Sequence, residues 1–560
     1  MNSIRVNRRS LGINFSSRGE SEILVWAPHA EHVSVFLPKE QKNVVLEKQE
    51  FGYWSCIAPK IKPGDQYFYK LDDNYFPDPA SLSQPQGVDG PSEVINLHHF
   101  QWTDDKWKNI ALSNYIFYEL HTGTFTSSGT FSGIEEKLDY LKALGITALE
   151  IMPVAQFSGT RNWGYDGVFP FAVQHSYGGA LALQHFVDAC HQKGLAVVLD
   201  VVYNHMGPEG NILGKFGPYF TDKYKTPWGD AINFDDAGCD AVRKFVIENA
   251  LMWFRDFHVD ALRLDAVHAI KDFSPKHILK ELKEYVNELT NETGRAYYLI
   301  AECDLNDDRY IKDIHQEGYG KDAQWIDEFH HALRVTTGNE RKGYYEDFTG
   351  LLHLAKSFRD GYVYDGIYSA HRKKTFGTKT TGIDGSKFVV FSQNHDHVGN
   401  RMLGERTSVL VSFEMQKVMA AVVLVSPFLP LLFMGEEYGE KNPFLYFVNH
   451  SDKTLIEAVR KGRSEEFAAF HHAGEVPDPQ SESSFEKSKL NWHRIEEAEH
   501  LAMLNYYKEL IAWRKKLPAL SVLNRDNINI KVYEEEQVLI IHRWHNDQHI
   551  QGVINFSNKK

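Results

Sequence analysis

The stretch His258-Val-Asp-Ala-Leu-Arg-Leu-Asp-Ala-Val-His268 carries charge where a buried strand should be apolar. Ala261, Leu262 and Leu264 suit such a strand, yet Arg263 and Asp265 stand two positions apart within it and so share one face. Charges in that setting must pair or do chemistry. A guanidinium beside a carboxylate lowers its pKa and keeps it available as a nucleophile near neutral pH. A structural ion pair at a strand end would leave the same mark.

Three more apolar runs end in polar clusters. Ala196 to Val202 leads into Tyr203-Asn204-His205, Tyr298 to Ala301 into Glu302, and Phe388 to Phe391 into Asn394-His395-Asp396. Asp200, Asp265, Glu302 and Asp396, in that order and with helical spacers between them, fit a barrel of parallel strands whose carboxyl ends open on one mouth.

The alternation continues along the chain. Strands are expected at Tyr115 to Leu120 and Ile146 to Met152, and helices at Ile134 to Leu144 and at Ala180 to Lys193, the latter stopped by Gly194. The last four strands begin near Tyr298, Gln324, Phe388 and Leu431, which makes eight and a (β/α)8 TIM barrel of the α/β class. Residues 1–95 alternate in β fashion and predict an N-terminal β-sandwich, closed by the Pro-rich connector Phe76-Pro-Asp-Pro79 to Gly90-Pro91. That domain could bind glycan or brace the barrel; Trp26 and Trp54 are equally well explained as core. The barrel is expected over 96–516, with an insertion at about 206–238 overhanging its mouth. A short C-terminal β domain, 517–560, has three strands that can hardly cover themselves.

Composition narrows the function. A chain of 560 residues is too long for one core, and 42% hydrophobic with 24% charged residues leaves no sign of disorder. A net charge of -14 argues against nucleic-acid and anionic-membrane partners. The basic run Arg372-Lys-Lys374 reads as a solvated loop. Cys56, Cys190, Cys239 and Cys303 are scattered, without disulfide or zinc spacing, and Met1 to Ser10 lacks an apolar core, so a cytoplasmic protein is expected. The apolar run Met419 to Gly435 contains Ser426, Pro427 and Pro430 and reads as helix, turn and strand, not as a membrane span. No oxygen-ligand cluster suggests a bound metal, and no cofactor is expected. Oligomeric state is not legible.

Carboxylates at one mouth, in a chain rich in aromatics (13%) and without a phosphate-cradling Gly loop, point to glycoside-bond chemistry. In a retaining mechanism two carboxyls about 5 Å apart act as nucleophile and acid/base. Asp265, beside Arg263, is expected to be the nucleophile. Glu302 follows the apolar Tyr298-Leu-Ile-Ala301, where desolvation raises its pKa as a proton donor requires. Asp396 is expected to bind sugar hydroxyls and stabilise the transition state. His205 and His395 are candidate hydroxyl donors, although either alone would read as a satisfied buried imidazole.

Asp200-Val-Val-Tyr-Asn-His205, Ala261-Leu-Arg-Leu-Asp265, Glu302 and Asn394-His-Asp396 resemble the four sequence regions of the α-amylase family of retaining glycoside hydrolases. The resemblance implies the same roles for Asp265, Glu302 and Asp396. It also places Arg263, His205 and His395 on the sugar ring before the cleaved bond, with Tyr165 of Trp163-Gly-Tyr-Asp-Gly167 stacked beneath. Asp200 and His268 are further candidates for substrate binding.

Asn204-His-Met-Gly-Pro-Glu-Gly210, Thr226-Pro-Trp-Gly-Asp-Ala-Ile-Asn-Phe234, Asp327-Glu-Phe-His-His331, Gly343-Tyr-Tyr-Glu-Asp-Phe348 and Leu432-Phe-Met-Gly-Glu-Glu437 are similar to the maltooligosyltrehalose trehalohydrolase branch. Its members cut the α-1,4 bond next to the terminal trehalose of maltooligosyltrehalose. Met206 stands where an aromatic is usual, and His397 where Gln is usual. Asp327, Glu328 and His331 are the candidates for holding the leaving disaccharide, with a structural role for the cluster as the alternative, and Trp228 is placed to close the cleft. A glycogen branching or debranching enzyme shares this layout. An inactive glycan-binding scaffold would be expected to have lost one of the three carboxylates.

Overall fold

A computed structural model describes residues 4–338, 340–469 and 476–557. Positions 470–475, inside the excursion expected over 437–495, and the last three residues lie outside the described residues.

Eight strands close a barrel: β1 (Phe117–Leu120), β2 (Ala148–Ile151), β3 (Ala196–Val201), β4 (Ala261–Leu264), β5 (Tyr298–Ala301), β6 (Ala323–Trp325), β7 (Phe388–Phe391) and β8 (Leu429–Phe433). Every neighbouring pair is parallel, and β8 returns to β1 through Leu431 opposite Phe117. The strands are short and buried on both faces, hence their apolar runs. Phe117, Ala148, Val198, Ala261, Ile300, Trp325, Val389 and Leu431 share the barrel interior. The neighbouring Tyr118, Leu149, Val197, Leu262 and Leu299 belong to the cluster under the helices. Because side chains alternate, an inward Ala261 turns Arg263 and Asp265 inward too, and an inward Ile300 does the same for Glu302.

The helix Gly179–Lys193 stops at Gly194, whose φ of 74° lets its N–H reach Cys190 and His191 oxygens. The helix expected at Ile134 to Leu144 is instead two short ones, Phe131–Glu135 and Leu138–Leu144. The Lys137 N–H bonds back to Ile134, tightening the turn between them. Ile134, Leu138, Leu141 and Leu144 stay buried regardless.

The N-terminal region forms two antiparallel sheets, with Trp26 and Trp54 buried in their core. It docks on the barrel where the backbone N–H groups of Ser10 and Leu11 donate to Glu248 at 2.9 and 3.1 Å. Trp26 meets Tyr219 of the β3–β4 connection edge-on at 5.2 Å. In that connection the strands Phe220–Thr226 and Gly229–Ile232 form a hairpin.

The C-terminal sheet, Ile528–Tyr533, Val538–His545 and Gln548–Asn555, is covered by the barrel's own helices. Leu539, Ile541, Ile554 and Phe556 pack with Leu354, Phe358, Met419 and Val423 in one cluster, so three strands suffice. The run from Met419 is the end of helix Phe413–Val425, a turn, and β8. Arg514 donates to the Leu424 and Ser426 carbonyls of that turn at 2.8 Å, and Arg543 to those of Val425 and Ser426 at 3.0 Å. Among the described residues no helix is long and apolar enough to cross a membrane.

Candidate active site

Arg263 is the hub. Its side chain is fully buried, with the guanidinium carbon 4.4 Å from the Trp325 ring centroid. Nη1 donates to both oxygens of Asp200 at 2.9 Å and to Oδ1 of Asp265 at 2.8 Å. Nη2 stands 3.7 Å from Oε2 of Glu302. One planar cation thus faces carboxylates from the ends of β3, β4 and β5, which strand alternation aims inward.

These acids are electrostatically unequal. Burial pulls Asp265 upward, but Arg263, His205 and the 2.7 Å hydrogen bond from Asn204 outweigh it and hold the carboxyl below its ordinary value. Burial pushes Glu302 up to about 8, and the charges of Asp265, Asp327 and Asp396 add to the effect against Arg263. Glu302 accepts the N–H of Ala266 at 2.5 Å. Ala266 has φ 39° and ψ 49°, a left-handed conformation unfavourable for a residue with a side chain.

Tyr165 donates to Asp200 at 2.6 Å, stands 2.8 Å from Nε2 of His395, and stacks on that ring at 5.3 Å. Nδ1 of His395 bonds Glu119 on β1. With Glu119 accepting at one nitrogen and Tyr165 already donating elsewhere, the ring holds two protons. Burial opposes this, yet Asp396 and Glu119 raise its pKa to about 9. Asp396 is half exposed, with Nε2 of His395 3.5 Å from Oδ1 and Nδ2 of Asn400 donating at 3.2 Å. His205 is pinned between Asn204 and the Tyr165 carbonyl and stacks on half-exposed Trp228 at 4.3 Å with the ring planes nearly parallel. His268 lies beside the loop after β5, 3.4 Å from the Asp304 nitrogen.

Next to Asp396 opens a cavity of about 460 Å³ whose wall includes Asp327, Glu328 and His331. Burial raises the Asp327 carboxyl to about 7. Glu328 accepts from the N–H groups of Val363 and Tyr364 at 2.6 and 3.0 Å, so one of its oxygens holds loop backbone in place. His331 packs between Tyr344 and Phe348 at 4.7 and 5.2 Å.

The basic run Arg372-Lys-Lys374 is at the turn of a hairpin, Ile367–Ser369 with Lys374–Phe376, with Lys373 and Lys374 exposed as expected. Arg372 alone departs from the solvated reading: it is half-buried, lines the same cavity and pairs with Asp304 at 2.5 Å. Asp347 turns that hairpin inward by bonding Ser369 and the N–H of His371. Glu119 and Glu150, paired in register on β1 and β2, are further buried acids beside the expected ones. Each is an acid inside an apolar strand, the signal that singled out Arg263.

Residues 96–225 match the profile of the alpha amylase catalytic domain, and residues 10–87 that of carbohydrate-binding module 48, the isoamylase N-terminal domain. Over 493 residues, 88% of this chain and 84% of the relative, the sequence is 49% identical to a malto-oligosyltrehalose trehalohydrolase of Saccharolobus solfataricus. The chain belongs to the malto-oligosyltrehalose trehalohydrolase family. A malto-oligosyltrehalose trehalohydrolase from Arthrobacter ramosus is 44% identical over 88% of this chain and 87% of its own. A crystal structure from Salmonella typhimurium, assigned as an alpha amylase, superposes with a TM-score of 0.92 at 37% identity, covering 98% of this chain and 94% of the other. Membership of the malto-oligosyltrehalose trehalohydrolase family makes the barrel that of a glycoside hydrolase of the α-amylase type.

Proposed function

We propose that this chain hydrolyses the α-1,4-glucosidic bond next to the terminal trehalose of maltooligosyltrehalose, with retention at the cleaved carbon. Asp265 attacks the anomeric carbon, Glu302 gives its proton to the glycosidic oxygen, and trehalose leaves. The glucosyl ester on Asp265 is then opened by water, whose proton returns to Glu302, releasing the maltooligosaccharide. Asp396 and the doubly protonated His395 bind hydroxyls of the reacting ring, and Tyr165 stacks beneath it. Asp200 holds Arg263 and Tyr165 in place; His205 and Trp228 wall the cleft on one side and His268 on another. Asp327, Glu328 and His331 line the space for the leaving disaccharide.

The observation that carries this reading is the unequal placement of two acids around one guanidinium, Asp265 hydrogen-bonded to Arg263 at 2.8 Å and Glu302 3.7 Å away. Asp265 is held ionised and Glu302 is held protonated, as attack and proton donation require. The relatives named above support the substrate. Incubation with maltotriosyltrehalose beside maltopentaose tests it: trehalose and maltotriose from the first, with slow attack on the second, is expected. Equal attack on both, or glucan transfer in place of hydrolysis, would exclude it.

A further inference from the structure

His397 follows Asp396 and reaches the same cavity. Its ring lies 3.7 Å from that of His330, almost parallel. His330 cannot turn: Nδ1 is 2.7 Å from the Ser392 carbonyl and must donate, so Nε2 accepts the Tyr345 hydroxyl at 2.9 Å. Both nitrogens of His330 are spent, and its face is a fixed support.

His397 is different. Its side chain is only 8% exposed, and Nδ1 has no hydrogen-bond partner among the described residues. An apolar side chain would pack on His330 without stranding a buried nitrogen, so packing alone does not account for an imidazole. The other nitrogen, Nε2, faces Oδ1 of Asp327 at 3.9 Å. That is too far for a direct hydrogen bond, but an oxygen placed between them can lie about 2.8–3.0 Å from both. Burial and the nearby cations His395 and Arg334 keep the ring neutral, with a single proton. That proton is better held on Nε2, where it can find a partner, than on the enclosed Nδ1.

We infer that His397 is a specificity-determining residue: its Nε2–H and the Asp327 carboxylate grip one hydroxyl of the leaving disaccharide, with His330 as the positioning residue beneath. The inference rests on the reading that the leaving group occupies this cavity. A site built to hydrogen-bond a hydroxyl rejects ligands that do not present one there far better than an apolar slot does.

The test uses the full chain with H397F, which keeps the stacked ring and loses the donor, and H397Q, which can return a donor. Trehalose inhibition and kcat/KM for maltotriosyltrehalose and maltopentaose are measured, with a melting curve for each variant. H397F is expected to raise the trehalose inhibition constant roughly tenfold or more and to lower the ratio of kcat/KM for the capped over the uncapped substrate. H397Q should recover most of both. D327N reads the other half of the grip: it should weaken trehalose binding in the parent chain and add little in H397F. An inhibition constant unmoved by H397F or by D327N, or fully additive losses, overturns the proposal. A parent chain that releases no trehalose would instead overturn the function proposed above.

Discussion

Arg263 and Asp265 are joined by a 2.8 Å hydrogen bond from Nη1 to Oδ1, while Nη2 of the same guanidinium stands 3.7 Å from Glu302. Both acids are buried, so desolvation raises both; the direct bond from Arg263, with that from Asn204, goes to Asp265 alone. The single proton of the pair is thereby sorted onto Glu302. Replacing Arg263 by Lys keeps a charge but cannot serve Asp200 and Asp265 from one fixed plane. We expect kcat/KM on maltotriosyltrehalose to fall about a hundredfold or more, some 3 kcal/mol of transition-state stabilisation. A loss below threefold would show that the sorting does not depend on this fork.

The pH profile follows from the same displacement. The proposed mechanism needs ionised Asp265, lowered from its ordinary value, and protonated Glu302, raised to about 8. The kcat/KM profile should be bell-shaped, with its alkaline limb near pH 8. The negative charge of Asp327 helps to raise Glu302, so Asp327→Asn should move the alkaline limb to lower pH, by up to about one unit. A limb that stays put or moves upward would detach it from Glu302.

At the other end of the barrel His191 is fully buried between two carboxylates, with Nδ1 2.8 Å from Asp104 and Nε2 2.9 Å from Asp260. Burial lowers its pKa, but Asp260 and Asp104 prevail and raise it to about 9. The folded value lies above the unfolded one, so this stabilisation is complete below about pH 6.5 and is lost as pH rises through about 9, an effect of roughly 3 kcal/mol. His191→Gln should cost a similar amount in urea unfolding at pH 6, and the gap from the parent chain should shrink by pH 9.5. A gap constant with pH would remove the charged pair from the account.

Ala266 holds a left-handed turn, and its N–H reaches Glu302 at 2.5 Å because of it. A β-branched residue there should either strain the turn or release it. Ala266→Val is expected to destabilise by about 1–2 kcal/mol and to reduce kcat, whereas Ala266→Gly should keep both near the parent values. Stability and turnover measured on the two variants check this; an active, undiminished Val variant would contradict it.

Charges inside apolar runs made the site legible, because an acid or guanidinium in a doubly buried strand has few structural excuses. Arg263, Asp265 and Glu302 stand out that way and the structure brings them together, and Glu119 and Glu150 offer the same signal. Arg-Lys-Lys reads as solvated and its two lysines are, but the inward contact of Arg372 is set by Asp347 and Asp304, distant along the chain, and so is not legible locally. Glu328 stands where a ligand-binding residue is expected, yet what its Oε2 accepts is backbone N–H, which side-chain type cannot reveal. The C-terminal sheet seemed too small because its cover comes from helices more than a hundred residues earlier.

The central claim is that Asp265 forms the bond to sugar while Glu302 manages the proton. The Glu302→Gln chain treated with α-maltosyl fluoride tests it directly. Fluoride leaves without protonation, so the first step proceeds, while water attack on the ester lacks its base. Intact mass should rise by one maltosyl group, and peptide mapping should place it on Asp265. An adduct on Asp396 or another side chain, or unhindered turnover with no adduct, would contradict the account.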